Sequence, residues 1–226
     1  MDAFAFSTAQ KIILLIIPLI FAITVHEAAH GYVANMFGDP TAKMMGRLTL
    51  NPIKHIDPVG TLLIPGALIL AMFMVGNRFI FGWAKPVPVT WQNLRNPRRD
   101  MALVALAGPG VNFLMAIAWG AIAKFGIMIL DDQQMLGLSL AYMGLMGILI
   151  NLVLMVLNLI PIPPLDGSRV VASLLPPKTA YHYNRIEPYG FFILIALLVT
   201  NILPMIIAPP MMFLYHLITV VFGLRV

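Results

Sequence analysis

Two histidines with a glutamate beside the first, His26-Glu27-Ala28-Ala29-His30, stand inside an otherwise apolar run over residues 12–37. On a helix, residues four apart emerge from one face about a turn apart, so both imidazoles can reach a single ion. Glu27 falls beside that ion rather than on it. In this arrangement two histidines hold zinc while a neighbouring carboxylate takes a proton from its water. Ionisable side chains at membrane depth are costly unless paired or facing a cavity, which marks the segment as functional. The chain has no cysteine, so thiolate metal sites, disulfides and cysteine nucleophiles are excluded and any metal takes nitrogen and oxygen ligands.

A hydrolytic zinc takes three protein ligands and keeps one position open. The continuation that adds a further histidine fails, because Val33 and Met36 stand there, and the only other glutamate is Glu187, followed by Pro188. The remaining candidates are Asp166, Asp57 and His55, with Asp39, His182 and His216 less well placed. Asp166 follows Pro161, Pro163 and Pro164, which forbid a regular helix, and irregular backbone at membrane depth occurs only inside protein or along a water-filled cavity. It could equally cap a short helix over 167–175. His55 and Asp57 fit a second metal or, better, a buttressed turn before Pro58.

The elements that must position these groups are membrane helices. The chain has 226 residues, 60% hydrophobic and 10% charged, where soluble domains run at about half and about a quarter. Its 18 prolines and 17 glycines suit membrane helices better than soluble ones. The net charge of +5 reads as basic loops beside anionic lipid, and no basic patch interleaved with aromatics points to nucleic acid. The 12–37 run lacks a cleavage site and reads as a retained helix. Residues 39–58 read as a loop with a short strand at 47–50. The apolar run 60–75 is short for a span, and 78–90 reads as an edge strand or ribbon interrupted by Pro86 and Pro88. Spans follow at 101–124 and 135–160, then a short helix to Leu175, a polar stretch 181–188, and one or two crossings over 189–207 and 211–222, separated at Pro209-Pro210. Asn151 reads as an interhelical hydrogen-bonding residue, His216 as a buried helix residue, and Tyr181, His182, Tyr183 and Tyr189 as interfacial anchors.

Three motifs in order, HEAAH, AGPGVNF over 107–113 and NLIPIPPLDG over 158–167, resemble those of the site-2 protease family of intramembrane zinc metalloproteases. The resemblance implies His26, His30 and Asp166 as ligands of one zinc ion per chain and Glu27 as the catalytic base acting on zinc-bound water. It implies Asn158 as a substrate-backbone or oxyanion contact, and Asn112 similarly; the alternative for either is an interhelical hydrogen bond. The segments 46–52, 55–60 and 82–89 resemble compact bacterial and archaeal members. Neither an inserted PDZ domain nor a nucleotide-sensing repeat pair fits.

The expectation is an all-α polytopic membrane protein with about five to six membrane helices, a re-entrant segment and a short membrane-associated β ribbon. It is a single domain over 1–226, with a catalytic core at about 10–175 and accessory C-terminal helices at about 188–223. Its partners are the lipid bilayer and a membrane-spanning protein or peptide, and its place is a prokaryotic cell membrane. The substrate helix must unwind before attack, and the ribbon at 79–89 could receive it by strand addition or simply lie on the surface. The competing class is a metal-binding transporter or sensor without hydrolysis. That class needs ligands along a path and often internal repeats, of which there are none, and it needs no base beside its histidines. Parity adds that 60–75 does not cross. His26–His30 and Asp166 meet at one face only if an even number of crossings separates them, and the basic residues on both flanks of the run belong in the cytoplasm.

Overall fold

The computed structural model describes residues 6–63 and 85–224. The described elements are helical: α1 Thr8–Met36, α2 Thr41–Met44, α3 Pro97–Met128, α4 Gln134–Leu159, α5 Asp166–Leu174, α6 Pro177–Asn184, α7 Glu187–Val199 and α8 Ile202–Val221. Short 3-10 turns at Pro52–His55 and Trp91–Asn93 and a π-helical stretch at Pro58–Leu63 join them. Four helices, α1, α3, α4 and α8, are long and apolar enough to cross a membrane, while α7 is apolar but shorter.

The α1 start is set by Ser7, whose hydroxyl accepts the Gln10 N–H while the Gln10 side chain accepts the Ser7 N–H, satisfying two donors that a helix start otherwise leaves bare. The α3–α4 pair is the centre of the bundle. Small residues bring the two backbones together: a Cβ on Gly144 would lie 2.5 Å from Ala123, and one on Gly147 would enter the Trp119 ring. Such close approach lets dispersion contacts associate helices that lipid does not drive together. Trp119, Leu145, Ile148 and Leu152 form the buried core there, and α8 closes it through Ile218.

Several sequence expectations change. Among the described residues there is no strand. Residues 48–50 form bends between α2 and the first 3-10 turn, and 85–90 form no regular element; the prolines at 86 and 88 offer no N–H for a ladder. The rest of the expected ribbon, and the 60–75 run beyond residue 63, lie outside the described residues. The polar stretch expected at 181–188 is helical over most of its length, as α6 and the start of α7. The break between the last two helices falls at Asn201, which takes a left-handed conformation with φ 61°, while Pro209 and Pro210 lie inside α8. Asn tolerates that backbone well, and membrane helices accommodate proline. His216 is exposed on α8 rather than buried, because that helix buries only Leu203, Ile218 and Thr219. Asn151 is fully buried but donates to Gly147 O of its own helix, at 2.8 Å, rather than across the bundle.

The loop after α1 is organised by Asp39, which is fully buried. Its carboxylate accepts the Thr41 N–H at 3.1 Å, the Thr90 N–H at 2.7 Å and the Asn93 side-chain amide at 3.0 Å. Burial pushes this carboxyl up, but the bonds from Thr41, Asn93 and Thr90 outweigh it and hold it below the ordinary value. A depressed carboxyl contributes stability above its unfolded value of about 4, and loses it as pH falls through the lower folded value. Asp39→Ala is therefore expected to cost about 2 kcal/mol at neutral pH. Thermal unfolding in detergent should show that difference shrinking below about pH 4; a pH-independent difference would count against the charge as its source.

Candidate metal centre

His26 and His30 project from one face of α1 into the bundle and are buried. Each uses its Nδ1 on a hydrogen-bond acceptor. His26 Nδ1 lies 2.9 Å from Asn112 Oδ1 on α3, and His30 Nδ1 lies 2.7 Å from the Val104 carbonyl on the same helix. Taking the Asn112 amide oxygen as the partner, both Nδ1 atoms carry the proton and donate it. Both Nε2 atoms are then bare lone pairs in the neutral tautomer, the state of a histidine ligand whose far nitrogen is fixed by a neighbour.

Those two lone pairs point at each other and at Asp166. His26 Nε2 and His30 Nε2 are 3.1 Å apart, and Asp166 Oδ2 lies 3.2 Å from the first and 3.3 Å from the second. Asp166 is the first residue of α5, reached after the proline-rich turn at 161–164. Its carboxylate turns to the histidines rather than to the amides of its own helix, so the capping alternative is not the one the geometry supports. Three acceptor atoms so close, with Asp166 Oδ2 buried and lacking a hydrogen-bond partner, repel unless a proton or a metal cation lies between them. Atoms bound at 2.0–2.1 Å to a tetrahedral ion sit about 3.3 Å from one another, so the donor set and its spacing fit zinc. Among the described residues, these three are the one group of His and acidic side chains that converges in this way.

Space for the pair is left by Gly108 of α3. A Cβ there would lie 2.5 Å from His26 Cε1 and from His30 Nε2, so only glycine lets α3 pass this close to both imidazoles. The next residue, Pro109, is buried inside α3 and lacks the N–H that would ordinarily bond Ala105 O one turn back.

Glu27 is half-buried. Its Oε2 accepts the Val87 N–H at 2.8 Å. That amide lies in the extended strap 85–90, which crosses α1 where Gly31 offers no side chain; a Cβ on Gly31 would lie 3.1 Å from Val87 Cγ1. Asn112 is fully buried beside His26, and its Nδ2 has no hydrogen-bond partner. Asn158 stands near the end of α4 and donates to Leu154 O of its own helix at 2.9 Å. The other ligand candidates are engaged elsewhere. His55 Nε2 bonds the Thr49 carbonyl at 2.9 Å, and Asp57 accepts the Val59 and Gly60 N–H groups at 3.0 and 2.7 Å, the buttressed turn of the simpler reading. His182 Nδ1 bonds Lys178 O at 2.8 Å within α6.

Sequence reasoning missed the Val104 carbonyl, the Val87 amide and Gly108. The first two are backbone groups with no residue-type signal. Gly108 had one, in the AGPGVNF motif over 107–113, which was read for its resemblance and not for the space its glycine leaves.

A helical bundle of membrane-type helices, with a His-Glu-x-x-His segment facing an aspartate, places the protein in the class of metalloproteases. The comparisons give the family. The model of Peptidase family M50 matches residues 121–201, which include Asp166. The chain is 41% identical over 205 residues to "Putative zinc metalloprotease YwhC" of Bacillus subtilis, covering 88% of this chain and 86% of that protein. It is 31% identical over 189 residues to "Putative zinc metalloprotease Rip2" of Mycolicibacterium smegmatis, covering 83% and 67%. The protein of the same name in Mycobacterium tuberculosis is 31% identical over 196 residues, covering 87% and 69%. No solved structure matches. The chain belongs to peptidase family M50, the site-2 proteases.

Proposed function

We propose that the protein is an intramembrane zinc metalloprotease that hydrolyses peptide bonds within or next to transmembrane segments. His26, His30 and Asp166 hold one zinc ion, and Glu27 is the general base. The observation that carries this reading is the convergence of His26 Nε2, His30 Nε2 and the Asp166 carboxylate, with a second carboxylate one residue from the first histidine. Zinc, when bound there, acidifies a water and polarises a substrate carbonyl.

The chain's own groups do the rest. Asn112 and the Val104 carbonyl fix the tautomers and ring orientations of the two histidines. Glu27 Oε2 is occupied by the Val87 amide, which leaves Oε1 to take a proton and return it to the departing amine. The buried, unpartnered Asn112 Nδ2 is the donor a reacting carbonyl oxygen needs. Asn158, at the head of the proline-rich motif, is carried as a contact to the substrate backbone.

Orientation follows from charge. The C-terminal end of α1, the N-terminal end of α3 and the segments around α5 and α6 lie at one end of the bundle. Arg95 N–H donates to Phe37 O at 3.0 Å, and an Arg98 side-chain N–H donates to Leu175 O. Lys43, Arg47, Lys54, Lys85, Arg99, Arg169, Lys178 and Arg185 belong to this end, whereas the α3–α4 turn carries Asp131 and Asp132. By the positive-inside rule the basic end is cytoplasmic in a prokaryotic cell membrane.

The reading is tested with purified protein in proteoliposomes and a series of single-span peptides. One zinc per chain, cleavage that stops on chelation and cleavage that returns with added zinc are expected. Full zinc loading with no peptide cut in the series would favour a metal-binding protein, and cutting by metal-free protein would overturn the zinc mechanism.

A further inference from the structure

We infer that Arg47 is a positioning residue for Glu27, acting through the single peptide unit between Pro86 and Val87. The inference rests on the reading of Glu27 as the base. Arg47 is buried, its exposure only 8%, and among the described residues its guanidinium faces no carboxylate. A buried guanidinium without a counter-ion is costly and has to be repaid by hydrogen bonds. Its Nη2 donates to Lys85 O at 2.9 Å and Pro86 O at 3.3 Å. These are the last two carbonyls before the amide that Glu27 holds.

Pro86 C=O and Val87 N–H belong to one rigid planar unit. Arg47 grips the oxygen end of that unit and Glu27 the N–H end, at 2.8 Å. A cation at the negative end of a peptide dipole and an anion at its positive end polarise it in the same direction, so each bond strengthens the other. Pro86 and Pro88 carry no N–H, and each confines the residue before it to extended backbone. Val87 is thus the one donor between two prolines, on a backbone with little freedom. The strap is held at its start by Lys85 N–H on His55 O at 2.9 Å and at its end by Thr90 N–H on Asp39 at 2.7 Å. Between those points, Arg47 is the side chain that fixes the plane of the 86–87 peptide and therefore where the Glu27 carboxylate rests relative to His26 and His30.

The test uses the full chain in proteoliposomes with a single-span peptide that the unsubstituted protein cuts. Arg47→Ala is expected to lower kcat about 10²-fold, the effect of a misplacement of about an ångström, with KM changed less than about two-fold and zinc content unchanged. Arg47→Lys, which keeps the charge and one donor, should recover part of the loss. Val87→Pro deletes the N–H together with the side chain packed against Gly31 and should lower kcat at least as much, while the double variant should be no worse than Val87→Pro alone, since both break one connection. A readout independent of activity comes from the absence of native cysteine. A single cysteine at the exposed Lys85 should react with maleimide several-fold faster when Arg47 is Ala. Unchanged kcat in Arg47→Ala, zinc lost along with kcat, or losses that multiply in the double variant would each overturn the inference. Glu27→Gln, assayed alongside, separates the two levels: if it still cuts, the base reading fails, whereas the labelling rate reports on the strap regardless.

Discussion

Glu27→Gln is expected to leave zinc at one per chain and to lower kcat by about 10³-fold, within the range of general acid–base catalysis. The substitution conserves shape, and the carboxamide oxygen can still accept the Val87 N–H that now bonds Glu27 Oε2 at 2.8 Å. What it loses is the ability to take a proton. On the proposed ligand set of His26, His30 and Asp166, metal content should not move. Atomic absorption on the purified variant, paired with single-turnover cleavage of a membrane peptide, checks both halves. Cutting near the unsubstituted rate would remove Glu27 from the chemistry, and zinc lost in proportion to activity would make it a ligand.

Asp166→Asn should weaken zinc binding by more than about 10²-fold, because loss even of a group behind a ligand costs up to that much, and here a donor and a negative charge facing a dication go together. Asp57→Asn is the matched control. The Asp57 carboxylate accepts two backbone amides of its own turn, at 3.0 and 2.7 Å, and an asparagine oxygen can accept them too. Zinc titration with a competing chelator should therefore rank the two variants far apart. The reverse order would move the third ligand into the 55–57 turn.

The legible parts of this protein were those written in residue type and period. Apolar runs placed α1, α3 and α4 to within a few residues, because a membrane helix must satisfy its own backbone and so appears as length. The i, i+4 histidines foretold a shared face. The meeting of that face with Asp166 depended on two antiparallel helices, α3 and α4, bringing the chain back to the same end. The errors came from giving proline and asparagine their usual weight. Pro209 and Pro210 were read as a break and lie inside a helix, while the turn falls at Asn201, whose left-handed backbone has no period to betray it. Asn151 was expected to reach across the bundle, but its own i−4 carbonyl is nearer. The support of the site was hidden for a simpler reason: Val104 and Val87 contribute backbone atoms, and the role of Arg47 exists only because the strap passes over Gly31.

The ligand set also joins parts of the chain that are remote in sequence. His26 and His30 lie near its start, and Asp166 opens α5 after both central helices. An ion held by all three would close a very long loop, as a disulfide does, and removing that loop's freedom from the unfolded chain is stabilising. In a protein without cysteine, this makes the catalytic centre a removable clasp. Occupancy and fold are then thermodynamically linked, so a cell short of zinc would face a less stable protein as well as a slower enzyme.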